Sequence, residues 1–141
     1  AGKENCEIMG SYAKKVVPVV VGNGLKSYTK LLSSSAGVAR IKFAVPINPA
    51  DLNSENIKYC IQRVGSQSCD IDPTGQYNFS FRYNPVSRIL VVKVTNLTTL
   101  EKKKGLGPFK LGRILGFGGL KLNKINDSDS NLLAEMNVLV K

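Results

Sequence analysis

A chain of 141 residues with 43% apolar and 21% charged side chains has the size and make-up of one domain around a single core. No apolar run reaches the ~20 residues that a bilayer-spanning helix needs. Lysine and arginine number 20 against 10 acidic residues, a net charge of +10. The excess divides as seven against two in residues 1–50, five against four in 51–100 and eight against four in 101–141. Such a balance favours phosphate-rich partners, anionic membranes or nucleic acid; its plainer reading is a solvated, solubilising surface.

In chain order, residues 1–36 read as an N-terminal arm with one extra strand, Lys14 to Val21. Pro18 removes a hydrogen-bond donor from that strand and places it at a sheet edge. Gly22-Asn23-Gly24 supplies a turn, Leu25 to Ser35 is the one stretch with a longer helical pattern, and Ser33-Ser34-Ser35 resembles a linker. Residues 37–141 then carry short runs rich in Val, Ile, Tyr and Phe: Val38 to Ile47, Asn56 to Val64, Tyr77 to Tyr83, Arg88 to Leu97 and Asn131 to Val140. Ile41, Phe43 and Val45 alternate with polar neighbours, as do the aromatics of Tyr77 to Tyr83, so one face of each run is buried. Arg88 to Val94 is more continuously apolar and reads as a central strand covered on both sides. Asn84-Pro85-Val86-Ser87 makes a hairpin connection, and Asn126 to Glu135 has room for a short helical turn. Strands at this spacing predict an all-β, antiparallel sandwich of about eight strands with an N-terminal extension.

The chain has no histidine, so neither a Ser-His-Asp triad nor the usual zinc sets can form, and a non-enzymatic protein without metal or other cofactor is expected. Gly105 to Gly107 and the glycines from Gly112 to Gly119 fit no phosphate-cradling motif; Gly116, Gly118 and Gly119 read as ending a strand. Cys60 and Cys69 flank a turn-like segment. They form either a disulfide across a hairpin, which would indicate a secreted protein, or two half-buried thiols of a reduced compartment. Cys6 is left over. Ala1 to Asn5 shows no apolar secretory segment, and the compartment stays open.

From residue 37 on, the order of features resembles the synaptotagmin-type calcium and phospholipid-binding domain. Ala39 to Val45 is similar to that family's opening strand, with Pro46 to Asn56 as its first top loop, and Asn56 to Gln62 to its Pro-Tyr-Val-Lys strand. Tyr77 to Phe81 resembles its Asn-x-x-Phe-x-Phe strand, Ile89 to Val94 the strand that follows, and Phe109 to Leu115 its Ile-Gly-Arg strand. The resemblance implies a β-sandwich that binds membranes. Calcium-binding members carry Asp-x-Asp after the central strand, whereas Thr95 to Glu101 contains no aspartate. Asp51, Glu55 and Glu101 do not supply the six to eight oxygens calcium prefers, so the variant implied is calcium-independent.

Where the acidic loop would stand, Lys102, Lys103 and Lys104 are followed by Gly105, Leu106, Gly107, Pro108, Phe109 and Lys110. The four lysines suit lipid headgroups, and Leu106 and Phe109 suit the interface. The dull alternative is a solvated turn that keeps a sheet edge apart from its neighbours. Nucleic acid is a weaker expectation, because there is no Trp and most Tyr and Phe fall on buried faces; Tyr12 and Tyr28 are the exceptions. Sequons at Asn78, Asn96 and Asn126 arise easily by chance. The expected function is therefore a non-catalytic module at anionic phospholipid surfaces, peripheral to the membrane. A protein-interaction or assembly component that docks through the Val16 to Val21 strand or the arm is the rival.

Overall fold

The computed structural model describes residues 19–21, 25–27, 29–111, 116–133 and 135–140, the first two stretches as backbone alone. A short hairpin, Val19–Val21 (β1) with Leu25–Ser27 (β2), comes first. Thr29–Ser34 (β3), Val38–Phe43 (β4), Phe79–Asn84 (β7) and Ile89–Val94 (β8) then form one antiparallel sheet in the order β3-β4-β8-β7. Ile57–Gln62 (β5), Asp70–Ile71 (β6), Phe117–Leu122 (β9) and Met136–Leu139 (β10) form the other, β10-β9-β5-β6. The eight strands make the expected antiparallel sandwich. Lettered in chain order from β3, its sheets read A-B-E-D and G-F-C with one added edge strand, the connectivity of immunoglobulin-type sandwiches.

Period-two patterning builds the core directly. Ala39, Ile41 and Phe43 of β4 and Leu90, Val92 and Val94 of β8 point inward, and Ile57, Tyr59, Leu120, Leu122, Met136 and Val138 meet them from the second sheet. Each large apolar side chain buried this way contributes about 1.5–3 kcal/mol. Cys60 and Cys69 are joined, Cα to Cα 5.3 Å, which ties β5 to the short edge strand β6. The bond sits on the outer side of the second sheet, where Cys60 lies opposite Gly119 of β9.

Several expectations are corrected. Within the expected helical stretch Leu25–Ser27 and Thr29–Ser34 are strand, not helix: β3 pairs with β4 from Thr29 to Ser34, so the sandwich begins within the assumed arm and Ser33 and Ser34 are no linker. A register shift between Leu31 and Ser33 breaks the alternation and hides the strand from a period-two reading. β8 is central but covered on one side, since Lys93 is exposed and Ile89 and Val91 are half-buried. Gly118 and Gly119 lie inside β9 rather than after a strand. A side chain at Gly118 would place its Cβ 1.7 Å from the Pro108 carbonyl oxygen, so close backbone approach selects glycine there. Asn126 to Glu135 holds no helix among the described residues: Asp127 is buried and caps a turn by accepting from the backbone N–H groups of Asp129 and Asn131. Lys14 to Pro18 and residues 112–115 of the resemblance lie outside the described residues.

Candidate anion-binding surface

The outer face of the first sheet follows from the same alternation. With Ile41 and Phe43 turned inward, Arg40 and Lys42 must turn outward. Lys30 of β3 stands directly opposite Lys42, Ser33 opposite Arg40, Val91 between Arg40 and Arg82, and Lys93 between Val38 and Ser80. Lys30, Arg40, Lys42, Arg82 and Lys93 are all exposed, and the four strands contain no acidic residue. Neighbouring strands lie about 4.8 Å apart, so these cations recur every 5–10 Å across one twisted face. Among the described residues none of them has a carboxylate within ion-pair distance.

At one end of this face the lysine run takes a form that the sequence reading did not anticipate. Thr99–Lys104 is a short helix (α1), not a loop. Thr98 caps it by accepting from the Glu101 N–H, Glu101 returns the bond to the Thr98 N–H, and Gly105 closes it at φ 67. The three lysines occupy its last turn, where they complement the helix dipole. Successive helical residues step by about 100°, so Lys102, Lys103 and Lys104 fan out and cannot all face one plane. Lys102 and Lys110 border an open groove of about 900 Å³ together with Arg82, Lys93, Ser35, Ser80 and Thr95. Lys103 and Lys104 are exposed but do not line it.

The segment after α1 divides the expected apolar pair. Leu106 is 38% exposed, whereas Phe109 is 1% exposed and packs its ring against Tyr59 and Phe79. Phe109 therefore belongs to the core and cannot enter a membrane, which corrects its place among the contact residues. Two hydrogen bonds hold the segment there: the Phe109 N–H donates to Ala36 O, and the Tyr59 phenol donates to Pro108 O at 2.6 Å. The signal was present in the sequence, because a phenylalanine flanked by glycine, proline and a single following lysine is as compatible with a buried strap as with an exposed tip.

Glu101 is the single carboxylate among the residues that line the groove. The Tyr77 phenol donates to it at 2.7 Å, and that bond, with the Thr98 backbone N–H, holds its carboxyl below the usual range. Glu101 thus stays ionised, with its oxygens committed to protein donors. Burial first, then the bond to Glu101, pushes the Tyr77 phenol up to about 12; burial pushes Tyr59 further in the same direction. Both phenols remain protonated donors.

Of the residues proposed from sequence, Lys102 and Lys110 are brought together, Lys103, Lys104 and Leu106 lie exposed nearby, and Phe109 is removed. Lys30, Arg40, Lys42, Arg82 and Lys93 are not among them, since alternation within one strand shows what that strand buries but not which strands share a face. Fold and surface together define a disulfide-tied β-sandwich with one cationic sheet face. No protein-family model, curated protein or solved structure matches the chain.

Proposed function

We propose that the protein is a non-catalytic module that binds anionic phospholipid surfaces without calcium, through the outer face of the β3-β4-β8-β7 sheet and the adjoining Lys102 and Lys110. The single observation that carries this reading is five exposed cations on one face of four strands that contain no acidic residue. At about 1 kcal/mol for each cation near an anionic membrane, five give roughly 5 kcal/mol, a dissociation constant between millimolar and micromolar. Attachment of that strength is reversible and salt-sensitive, because the Debye length is about 8 Å at physiological ionic strength.

Calcium independence is supported by the occupation of two of the carboxylates that the sequence offers as ligands. Asp51 accepts from the Asn126 backbone and side chain, and Glu101 from Tyr77 and Thr98. Nucleic acid fits less well, since none of the residues on the cationic face is aromatic and base stacking has no platform there. The Cys60–Cys69 bond favours an oxidising compartment, so the surface proposed is that of a membrane outside the cytosol. The reading rests on the cations and not on the resemblance to the calcium and phospholipid-binding domain, whose implications stay with that resemblance.

Co-sedimentation with vesicles tests it. Wild-type protein is expected to pellet with phosphatidylserine-containing vesicles, with or without a calcium chelator, and to stay in solution with neutral vesicles or in 1 M salt, where screening acts over about 3 Å. Arg40→Glu with Lys42→Glu and Lys93→Glu should abolish pelleting, while Lys103→Glu with Lys104→Glu should reduce it less. Equal losses from both sets, or pelleting with neutral vesicles, would overturn the proposal.

A further inference from the structure

We propose a second binding surface, argued from the strand edge and not from the lipid reading although it shares Arg82 and Lys93 with it: the outer edge of β7 is a strand-addition site for an extended acidic segment of a partner protein, with an apolar residue at every second position. β7 has one hydrogen-bonded neighbour, β8, so among the described residues one row of its backbone N–H and C=O groups has no strand to pair with. Its six residues run in unbroken register and contain no proline. Of the devices that spoil an edge for pairing, a bulge, a proline and a very short strand are missing from this one, and the charge of Arg82 is the one it carries.

Across the sandwich the facing edge strand is β6, and it is only two residues long. The gap between the sheets therefore stays open on this side. Phe79, Phe81 and Tyr83 point inward and pack on the core, yet each is only half-buried. A cavity of about 420 Å³ opens beside the first of them, Phe79, and is lined also by Lys58, Tyr59, Ile71, Asp72 and Tyr77. A strand added to β7 would place every second side chain against these rings, closing the layer as β10 does at the other side, where it approaches β3.

Charge selects the occupant. The alternate side chains of the added strand would stand on the outer face next to Ser80 and Arg82, with Lys93 one strand spacing further in. Acidic residues at those positions pair with the cations; basic ones repel them. The same charges disfavour a second copy of this chain. Two β7 strands paired antiparallel about Phe81 or Arg82 bring the two Arg82 side chains opposite or diagonal to each other, within about 8 Å. Two molecules that each carry +10 add long-range repulsion. An acidic partner meets neither obstacle.

The probes are three eight-residue peptides with blocked ends: alternating Val and Glu, alternating Val and Lys, and the Val-Glu peptide with a central proline. Fluorescence anisotropy at low salt is expected to show the Val-Glu peptide binding at least tenfold more tightly than the other two. Amide hydrogen exchange should slow at Phe79–Asn84 when it is bound. Arg82→Glu with Lys93→Glu should reverse the preference toward the Val-Lys peptide, whereas Lys30→Glu, on the far edge strand, should leave it unchanged. Equal binding of the Val-Glu and Val-Lys peptides, undiminished binding of the proline peptide, or slowed exchange at strands other than β7 would each overturn the proposal. Vesicle pelleting reports separately on the lipid reading.

Discussion

The two sheets of this sandwich are alike inside and different outside. Both send Leu, Ile, Val and aromatic side chains into a shared core. On the outer side of the second sheet Lys58 stands opposite Lys121, as Lys30 stands opposite Lys42 on the first. The second sheet answers that like-charge pair with a carboxylate, Glu135, 4.0 Å from Lys121, and with the disulfide. Among the described residues the first sheet has no such answer. Like charges directly opposite one another destabilise a sheet, so the first sheet bears an electrostatic strain that the fold does not require. That contrast separates what holds the molecule together from what it presents to a partner.

Three changes break or sharpen the contrast. Gly118→Ala acts on the second sheet, where the new methyl would meet the Pro108 carbonyl and disturb the bond that Tyr59 makes to it. A loss of about 3 kcal/mol or more is expected, read as a lower urea midpoint, because rigid backbone cannot move aside. Removing the disulfide by Cys60→Ala with Cys69→Ala should lower stability by about 2–3 kcal/mol in the same measurement, the loop-closure value for a short loop. Vesicle binding by the folded fraction should be kept in both. Lys42→Glu on the first sheet should do the reverse: it turns the Lys30–Lys42 pair into an opposite-charge pair, raising stability by about 0.2–1 kcal/mol while weakening vesicle binding. A variant that loses both stability and binding would show that the cations support the fold after all.

How much was legible varies by element. β4, β5, β7 and β8 were legible because clean alternation or an apolar run points to a strand whatever it packs against. β3 was not, because the shift at Leu32 interrupts the period, and β9 was not, because Gly118 and Gly119 read as punctuation until the Pro108 strap is seen lying against them. α1 was legible in principle: Thr98 and Glu101 form a capping box and Gly105 a terminator, but a run of three lysines drew the reading toward a loop. In the site, Lys102 and Lys110 were found as sequence neighbours. Arg40, Arg82 and Lys93 could not be joined to them, because they come from three strands whose order only pairing reveals.

By itself the sequence determined the all-β class, the inward residues of the regular strands, the want of histidine chemistry and the candidate Cys60–Cys69 pair. These are local properties: side-chain alternation, turn residues and composition act over a few positions and need no knowledge of the rest of the chain. The tertiary structure alone decided which strands are neighbours, hence that five separated cations share one face. It also decided that Phe109 is core while Leu106 is surface, and that β7 is an edge strand among the described residues. Those outcomes depend on long-range pairing, in which residues tens of positions apart come within one strand spacing, and no local pattern encodes that distance.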